Sequence, residues 1–545
     1  MKAHLFIVIG LALGLVLLVC MATSGPVSWA QATCQRYVSY EGNDGTIPSP
    51  NDCSDEGKPC ETVQHAINQS VTGDRICVSS VLLNPDPTVY NETITIDRSV
   101  ILDGAWESQC FVHIPCVFQA VEPCAADRVV LNAGGAGPVI SMLDEIDPTI
   151  DCFTITGGNA DTLLGEPDGQ HTGGGIYGAG ASPIIINNII SGNVGCDPCS
   201  TANGYGGGIY LYKTPDTALI SNNVIAHNVA DNGSNGHGGG IMLLHADATV
   251  EGNEIHHNRA GLSAGEGGGI AVVGGEATIR DNEIEHNVAS QSLEGLGGGI
   301  FVRTDQAVTI EGNIVYYNEA ISGAGDPAHV SRGGGIYIEG APTMQADIWD
   351  NDIGVNTASP VSHRGHGGGL YATGLVTPSL IAANNVSSNI AGHNDNGNGG
   401  GIYLDDSEAT LQGNEIVDNT ATWAGSMGQG GGLFVDGSRV TFLGNAVARN
   451  TGGGFPGPPA STIGFGGGMV ISDTVALVKD NLITGNRGTN SPDFAAGGGA
   501  YVFTSTVRIV GNTITENSLT AGPAGYGGGL YLHYSTSAMD GNTIT

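Results

Sequence analysis

Positive charge is scarce in this sequence: lysine and arginine number 17 in 545 residues, against 53 aspartates and glutamates, for a formal charge of −36. A field of that sign repels nucleic acid and anionic lipid at long range, so neither is expected as a partner. It also disfavours polyanionic polysaccharides unless a divalent cation bridges the two surfaces. Cysteine is absent after Cys199, and no membrane-inserting segment is visible beyond residue 32. There is no GxSxG elbow, P-loop or HExxH sequence, and the Ca²⁺-binding nonapeptide G-G-x-G-x-D is missing. Only 13% charged residues beside 89 glycines would ordinarily mark disorder, but 40% of the chain is apolar. Those apolar residues recur in register, so the chain can bury a long core.

Residues 1–32 read as an export signal: Lys2, an apolar run from Leu5 to Val19, then the small-residue site Ala30-Gln31-Ala32. Pro26 and Trp29 break the segment before any stop-transfer pattern, and the bulky Val19 argues against lipid modification of Cys20. The remaining ten cysteines all lie between Cys34 and Cys199. They point to an oxidising compartment and a disulfide-stapled N-terminal region, with the pairing left open. Cys196 and Cys199 have redox-motif spacing, but without a βαβ context they read as a structural bridge.

Triple glycines begin at Gly173, Gly206, Gly238, Gly267, Gly297, Gly333, Gly367, Gly399, Gly430, Gly466, Gly497 and Gly527, a period of about 32 that signifies a solenoid. The residues after each triplet alternate, as in Ile336-Tyr337-Ile338 and Ile402-Tyr403-Leu404, which is the period of a strand with one buried face. Next comes N-x-[IVL]-x-x-N, as at Asn253 and Asn258, Asn282 and Asn287, or Asn414 and Asn419, in all eleven completed repeats. Asparagine tolerates the left-handed backbone of a tight turn, and its amide can bond the same amide one rung away, so each is expected at a corner. Each repeat then holds three short strands: one after the glycines, one ending at the first asparagine and one between the two. From 8 to 15 residues separate the second asparagine from the next triplet, whereas the rest of the repeat varies little. Variation is confined to one corner.

GGGI(Y/F) followed by I-x-x-N resembles the right-handed parallel β-helix repeats of the pectin-lyase-like superfamily. It is also similar to the GGA(I)/FxxN repeats of polymorphic outer-membrane proteins, and the likeness covers residues 173–545. Upstream, "YVSYEGNDG", "KPCETVQHAIN" and "VILDGAW" are similar to the entry segment of many secreted β-helix proteins, including polysaccharide lyases, and "GPVISMLDEIDPTIDCFTITGGNA" looks like the first regular coil. The resemblance implies a substrate groove along the first strand and the loop before it. It specifies a fold better than a function, because one solenoid carries many activities. Residues 33–172 are expected to cap the N-terminal end of the core. The sequence stops at Thr545, two residues short of the next corner asparagine, and reads as a fragment whose barrel or anchor is not seen.

If isoleucine and leucine point inward after each triplet, the residue between them points out. It is aromatic in nine of twelve repeats: Tyr177, Tyr210, Phe301, Tyr337, Tyr371, Tyr403, Phe434, Tyr501 and Tyr531. At a rung spacing of about 4.8 Å this stripe spans roughly 55 Å, long enough for a glycan to stack along, although aromatics also stack on one another without any ligand. Asp405, Asp406 and Asp436 occupy adjacent repeats beside the stripe, with Asp473 one further on. Paired carboxylates serve as acid and base or hold Ca²⁺, for which Asp405 and Asp436 are the metal candidates. The Asp405-Asp406 pair with the histidines of Gly236-His237-Gly238 and Gly365-His366-Gly367 resembles a polygalacturonase pattern, except that here histidine precedes the pair and no R-I-K follows. A lyase would need a basic residue beside the metal, but Lys213 and Arg303 lie in repeats far from the acidic cluster. His227, His257 and His286 share a register just before the second asparagine, continued by Tyr317, and read as a solvated surface column.

The expected fold is therefore all-β: a right-handed parallel β-helix, with a disulfide-stapled cap and first irregular coils over 33–172 and twelve repeats over 173–545, the last truncated. The expected function is a secreted or cell-surface scaffold for adhesion or carbohydrate binding, since repetition without a focal site motivates it. The rival is an extracellular polysaccharide lyase or glycoside hydrolase with its site near Asp405 and Asp436. Unlike polar residues gathered in one or two rungs would favour the enzyme, and features smeared along the axis the scaffold.

Overall fold

From residue 173 onward each coil is entered through three glycines, the first needed for its backbone angle and the other two for close contacts with the next coil. In the computed structural model, which describes residues 33–545 apart from 47–48, 83, 112–113, 122–123, 162–163, 166–169, 198–202, 324–328, 342, 361–363, 377–378, 425–426, 455–462, 490–493 and 520–524, the first glycine of a triplet is left-handed, as at Gly333 with φ 62°. A Cβ on Gly334 would fall 2.4 Å from the Gly368 carbonyl oxygen of the next coil, and one on Gly335 would fall 2.8 Å from that of Gly369 and 2.9 Å from the Asn356 amide nitrogen. The coils touch there through bare backbone. The strand that follows, Ile336–Gly340, pairs in parallel with Leu370–Thr373, placing Tyr337 opposite Tyr371.

Repeated coil by coil, this pairing builds an all-β parallel solenoid of about 13 turns. The strands after the triplets form a 14-stranded sheet, those before the first asparagine join a 17-stranded sheet, and those between the asparagines form a 15-stranded one. These are the three strands expected per coil, and the variable segment adds two more. A short strand such as Val288–Ser290 follows the second asparagine, and another such as Glu294–Leu296 precedes the next triplet. The two layers lie so close that a Cβ on Gly295 would fall 1.6 Å from the Ala320 carbonyl oxygen. Regular coiling begins before the first triplet, because Ile140–Leu143 pairs with both Ile176–Ala179 and Ile94–Ile96.

Asparagines hold the corners. Amide-to-amide bonds of 2.9–3.1 Å run from Asn188 to Asn542 in one column and from Asn193 to Asn517 in the other. Asn258 shows the bonding in full. Its Nδ2 donates to Asn287 Oδ1 at 3.1 Å and to the Ile225 carbonyl at 2.7 Å, and its Oδ1 accepts from the backbone and side-chain nitrogens of Asn228 at 3.0 and 3.1 Å. One amide thus uses its full hydrogen-bonding capacity and ties three coils together. The asparagine itself is not the left-handed residue; the residue before it is, as at Gly252, His257 and Asp281. The amide must point inward to reach its partners, so the tight turn is made one position earlier.

The N-terminal end of the core is covered by the helix α1, Val63–Gln69, capped by Thr62, whose hydroxyl accepts the His65 N–H at 3.2 Å. Its buried Val63, Ala66 and Ile67 join the apolar cluster that fills the coils. Disulfides link Cys34–Cys77, Cys53–Cys60, Cys110–Cys116 and Cys124–Cys152, and Cys196 is disulfide-bonded as well. The leader expected over residues 1–32 lies outside the described residues, among which no helix is long and apolar enough to cross a membrane. Replacing one corner amide, Asn258→Leu, strands the buried donors of Asn228 and the Ile225 carbonyl. It should lower unfolding free energy by about 1–3 kcal/mol, and a melting curve identical to that of the native protein would contradict the corner assignment.

Candidate functional site

The outward residues after each triplet were expected to form an open aromatic stripe. They are covered: Tyr177, Tyr210, Phe301, Tyr337, Tyr371, Tyr403, Phe434 and Tyr501 are 0–8% exposed, and Tyr531 in the last coil is partly open. Part of the cover is the row itself, since successive rings from Phe301 through Tyr337, Tyr371 and Tyr403 to Phe434 stack at 5.3, 5.2, 5.0 and 4.8 Å. The rest comes from residues just before the triplets, such as Tyr205, Leu296 and Phe465, which pack against the row. A sugar stacks only on a free ring face, and these faces are taken by neighbours. The stripe is a second apolar layer outside the coil interior.

Partly exposed rows flank it on both sides. One is the residue before each triplet, including His237, Glu266, Arg332, His366 and Asn398; the other lies two places after the aromatic and includes Arg303, Glu339, Asp405 and Asp436. The buried row runs along the axis between two more open ones, and this strip of three rows is called the trough.

Two polar clusters occupy this trough. In the first, Glu266 binds His237 at 2.8 Å and Arg303 at 2.9 Å, while Arg303 also pairs with Glu339 at 2.8 Å and covers the Phe301 ring at 4.8 Å. Burial alone would raise the Glu266 carboxyl, but the bonds from His237 and the charge of Arg303 outweigh it and hold it low. These charges satisfy one another.

The second cluster is more mixed. Arg332 lies 5.8 Å from the Tyr371 ring centre and pairs with Glu294 at 3.0 Å. His366 stacks on Tyr403 at 5.0 Å, the Tyr371 hydroxyl donates to Asp405 Oδ2 at 2.8 Å, and Asp405 sits in register opposite Asp436. Burial pushes the His366 pKa down to about 3, helped by the charges of Arg332 and Arg364, so the ring is neutral near pH 7. Burial and then the Asp405 charge raise both Tyr371 and Tyr403, which stay protonated. Asp436 is raised by burial and by the charges of Asp405, Asp473 and Asp406, against a bond from Ser472. Beside His366 in register, Asn398 carries a buried Oδ1 with no partner.

The acidic candidates divide. Asp405 and Asp436 lie side by side in register along one edge of the trough, whereas Asp406 and Asp473 take left-handed corner positions at φ 42° and 46° and are exposed outside it. Asp405, Asp436 and Ser472 bring together fewer than the six to eight oxygens Ca²⁺ takes, so an ion there would need water or ligand oxygens as well. Chain order does not separate His366 from the pair, because the residue before one triplet reaches the ring after the next. Sequence reasoning missed Arg332. The signal was the position immediately before each triplet, which reads Tyr205, His237, Glu266, Leu296, Arg332, His366 down the coils.

The family described as right handed beta helix region matches residues 174–456 and 379–545. The chain belongs to that family. No curated protein is similar enough in sequence to count as a relative. Among solved structures this β-helix is similar to the A-modules of two Azotobacter vinelandii mannuronan C-5 epimerases. AlgE6 is 15% identical, with 87% of this chain and 92% of that one covered and a TM-score of 0.32. AlgE4 is 12% identical, with 87% and 91% covered and a TM-score of 0.29. Similarity at this level does not extend to the chemistry of a site.

The neutral His366 makes stability depend on pH. Its folded pKa lies below the ordinary value of 6.5, so the unfolded chain takes up the proton more readily, and the contribution is whole above about pH 6.5 and lost as pH falls towards about 3. Between about pH 6.5 and about pH 4 the native Tm should fall more steeply than that of His366→Gln. Parallel profiles would place this imidazole in solvent.

Proposed function

We propose that this protein is an exported, extracellular or cell-surface β-helix that seats an extended carbohydrate polymer in the trough. The observation behind this reading is the gathering of unlike polar groups around Asp405: the Arg332 guanidinium, the neutral His366 imidazole, the Tyr371 and Tyr403 phenols, the Asp436 carboxylate and an unpaired amide oxygen at Asn398. Sugar hydroxyls are recognised by fixed donors and acceptors, and these are fixed by a solenoid whose corners cannot slip. Tyr337, Tyr371 and Tyr403 would offer their hydroxyl edges rather than their faces, while the other rings of the row support the floor. The disulfides agree with an oxidising compartment.

A second reading, glycoside hydrolysis, is favoured by one feature. Asp405 and Asp436 are register partners, and adjacent strands lie about 4.8 Å apart, near the roughly 5–5.5 Å carboxyl separation of a retaining glycosidase. The raised Asp436 suits the proton donor, and Asp405, positioned by the hydrogen bond it accepts from the Tyr371 hydroxyl, suits the nucleophile.

A panel of neutral and acidic polysaccharides, followed by affinity electrophoresis and by chain length, tests both readings. At least one polymer should retard the native protein, and Arg332→Gln with Asp405→Asn should weaken binding about 10-fold or more, as expected for lost charged hydrogen bonds. Undiminished binding by the double variant would remove the trough from the account. Shortening of a polymer by the native protein but not by Asp436→Asn, with saturated product ends that do not absorb in the near ultraviolet, would decide for hydrolysis rather than lyase elimination.

A further inference from the structure

The histidines of the second asparagine corner lie outside the trough and form a separate group. His227 and His257 occupy the left-handed position before Asn228 and Asn258, each with φ 56°, and the asparagine ladder behind them fixes both backbones. His256 ends the strand Glu254–His256 one place earlier. Sequence reading singled out the column His227, His257 and His286 and passed over His256, which stands beside it.

Stacking explains the column. His257 lies 5.1 Å from His286 at 26°, and His286 lies 4.9 Å from Tyr317 at 4°. Stacking does not explain His256, whose ring stands at 89° to His257 with the two Nδ1 atoms 3.0 Å apart. Two ring nitrogens so placed share a proton or a cation. Ligand atoms from His227, His256 and His257 all lie within 4.8 Å of one another, and all three residues reach solvent. Zinc–nitrogen bonds of about 2.0–2.1 Å put neighbouring ligand atoms of a tetrahedral ion about 3.3 Å apart, a separation these side chains reach by small rotations.

We infer that His227, His256 and His257 bind one borderline divalent transition-metal ion, of the class of Zn²⁺, and so clasp two adjacent coils. The nearby Glu254, Glu283 and Glu285 supply the negative field that draws a divalent ion in. Imidazole selects Zn²⁺, Cu²⁺ or Ni²⁺ over Ca²⁺ and Mg²⁺, which prefer oxygen. Among the described residues the other group with ligand spacing, Cys53, Cys60 and His65, is disabled because its two cysteines are disulfide-bonded.

Calorimetric titration of the purified protein with ZnCl₂, in excess Mg²⁺ to occupy carboxylate sites, tests the inference. It should give one Zn²⁺ per chain. Affinity should fall at least ~10-fold in His256→Gln and in His257→Asn, the latter chosen because asparagine tolerates the left-handed corner, and His286→Asn should keep the stoichiometry. Zn²⁺ should raise the Tm of the native protein but not that of the triple variant His227→Asn, His256→Gln, His257→Asn. The metal-free Tm of each variant reports whether it folds. No binding by the native protein, or equal binding by a folded triple variant, would overturn the proposal.

Discussion

An asparagine amide bonded through both its hydrogens and both its oxygen lone pairs is the interaction on which the rest of this structure depends. Each ladder amide joins its own coil to the ones before and after, so a slip of one residue would break several buried bonds at once. The register of the parallel sheets between residues 188 and 542 follows from it. The residue before each ladder asparagine pays for the turn, since a left-handed conformation costs a non-glycine residue roughly 1–2 kcal/mol. That position is nonetheless occupied by Asp281, His286, Tyr317, Val355, Ser388 and Arg449, among others. The ladder is strong enough to impose the turn on almost any side chain, and the imposed position points outward. Corner chemistry therefore leaves a column free for function, and the histidine group stands in that column.

The features legible in the sequence are those every coil must repeat. Glycine triplets have no substitute where a left-handed residue is followed by two backbone contacts, and the asparagine spacing has none where an amide must reach its neighbour, so both stand out as a period. The outward aromatics were legible as a row but not as a buried one. Alternation along a strand tells inside from outside of a coil and says nothing of a second layer above. That layer is built from the variable segment, where Tyr205, Leu296 and Phe465 share a position but no residue type. A third ladder escaped notice for a related reason: the hydroxyls of Ser438, Thr474, Ser505 and Ser535 each accept a backbone N–H from the preceding coil, but serine and threonine are too common to mark a column.

The polar site was half legible. Asp405 and Asp436 stood out because they follow the same triplet strand in successive repeats. His366 was noted but looked displaced from the pair, and Arg332 escaped notice, because both precede the triplet and reach the strip across a coil boundary. In a solenoid, distance along the chain misleads and position within the coil decides. The strongly negative molecule thus gathers a guanidinium and a neutral imidazole beside two carboxylates along its buried aromatic row.

Hydrogen–deuterium exchange of the protein alone and with a polysaccharide it retains tests the central claim most directly, because one data set reports the corners and the trough together. The account predicts slow exchange of the ladder amides along the whole axis, and polymer-dependent protection limited to the strands around 330–340, 364–373, 402–405 and 433–436. Fast exchange at the asparagine corners, or protection on the corner faces instead of the trough, would contradict it.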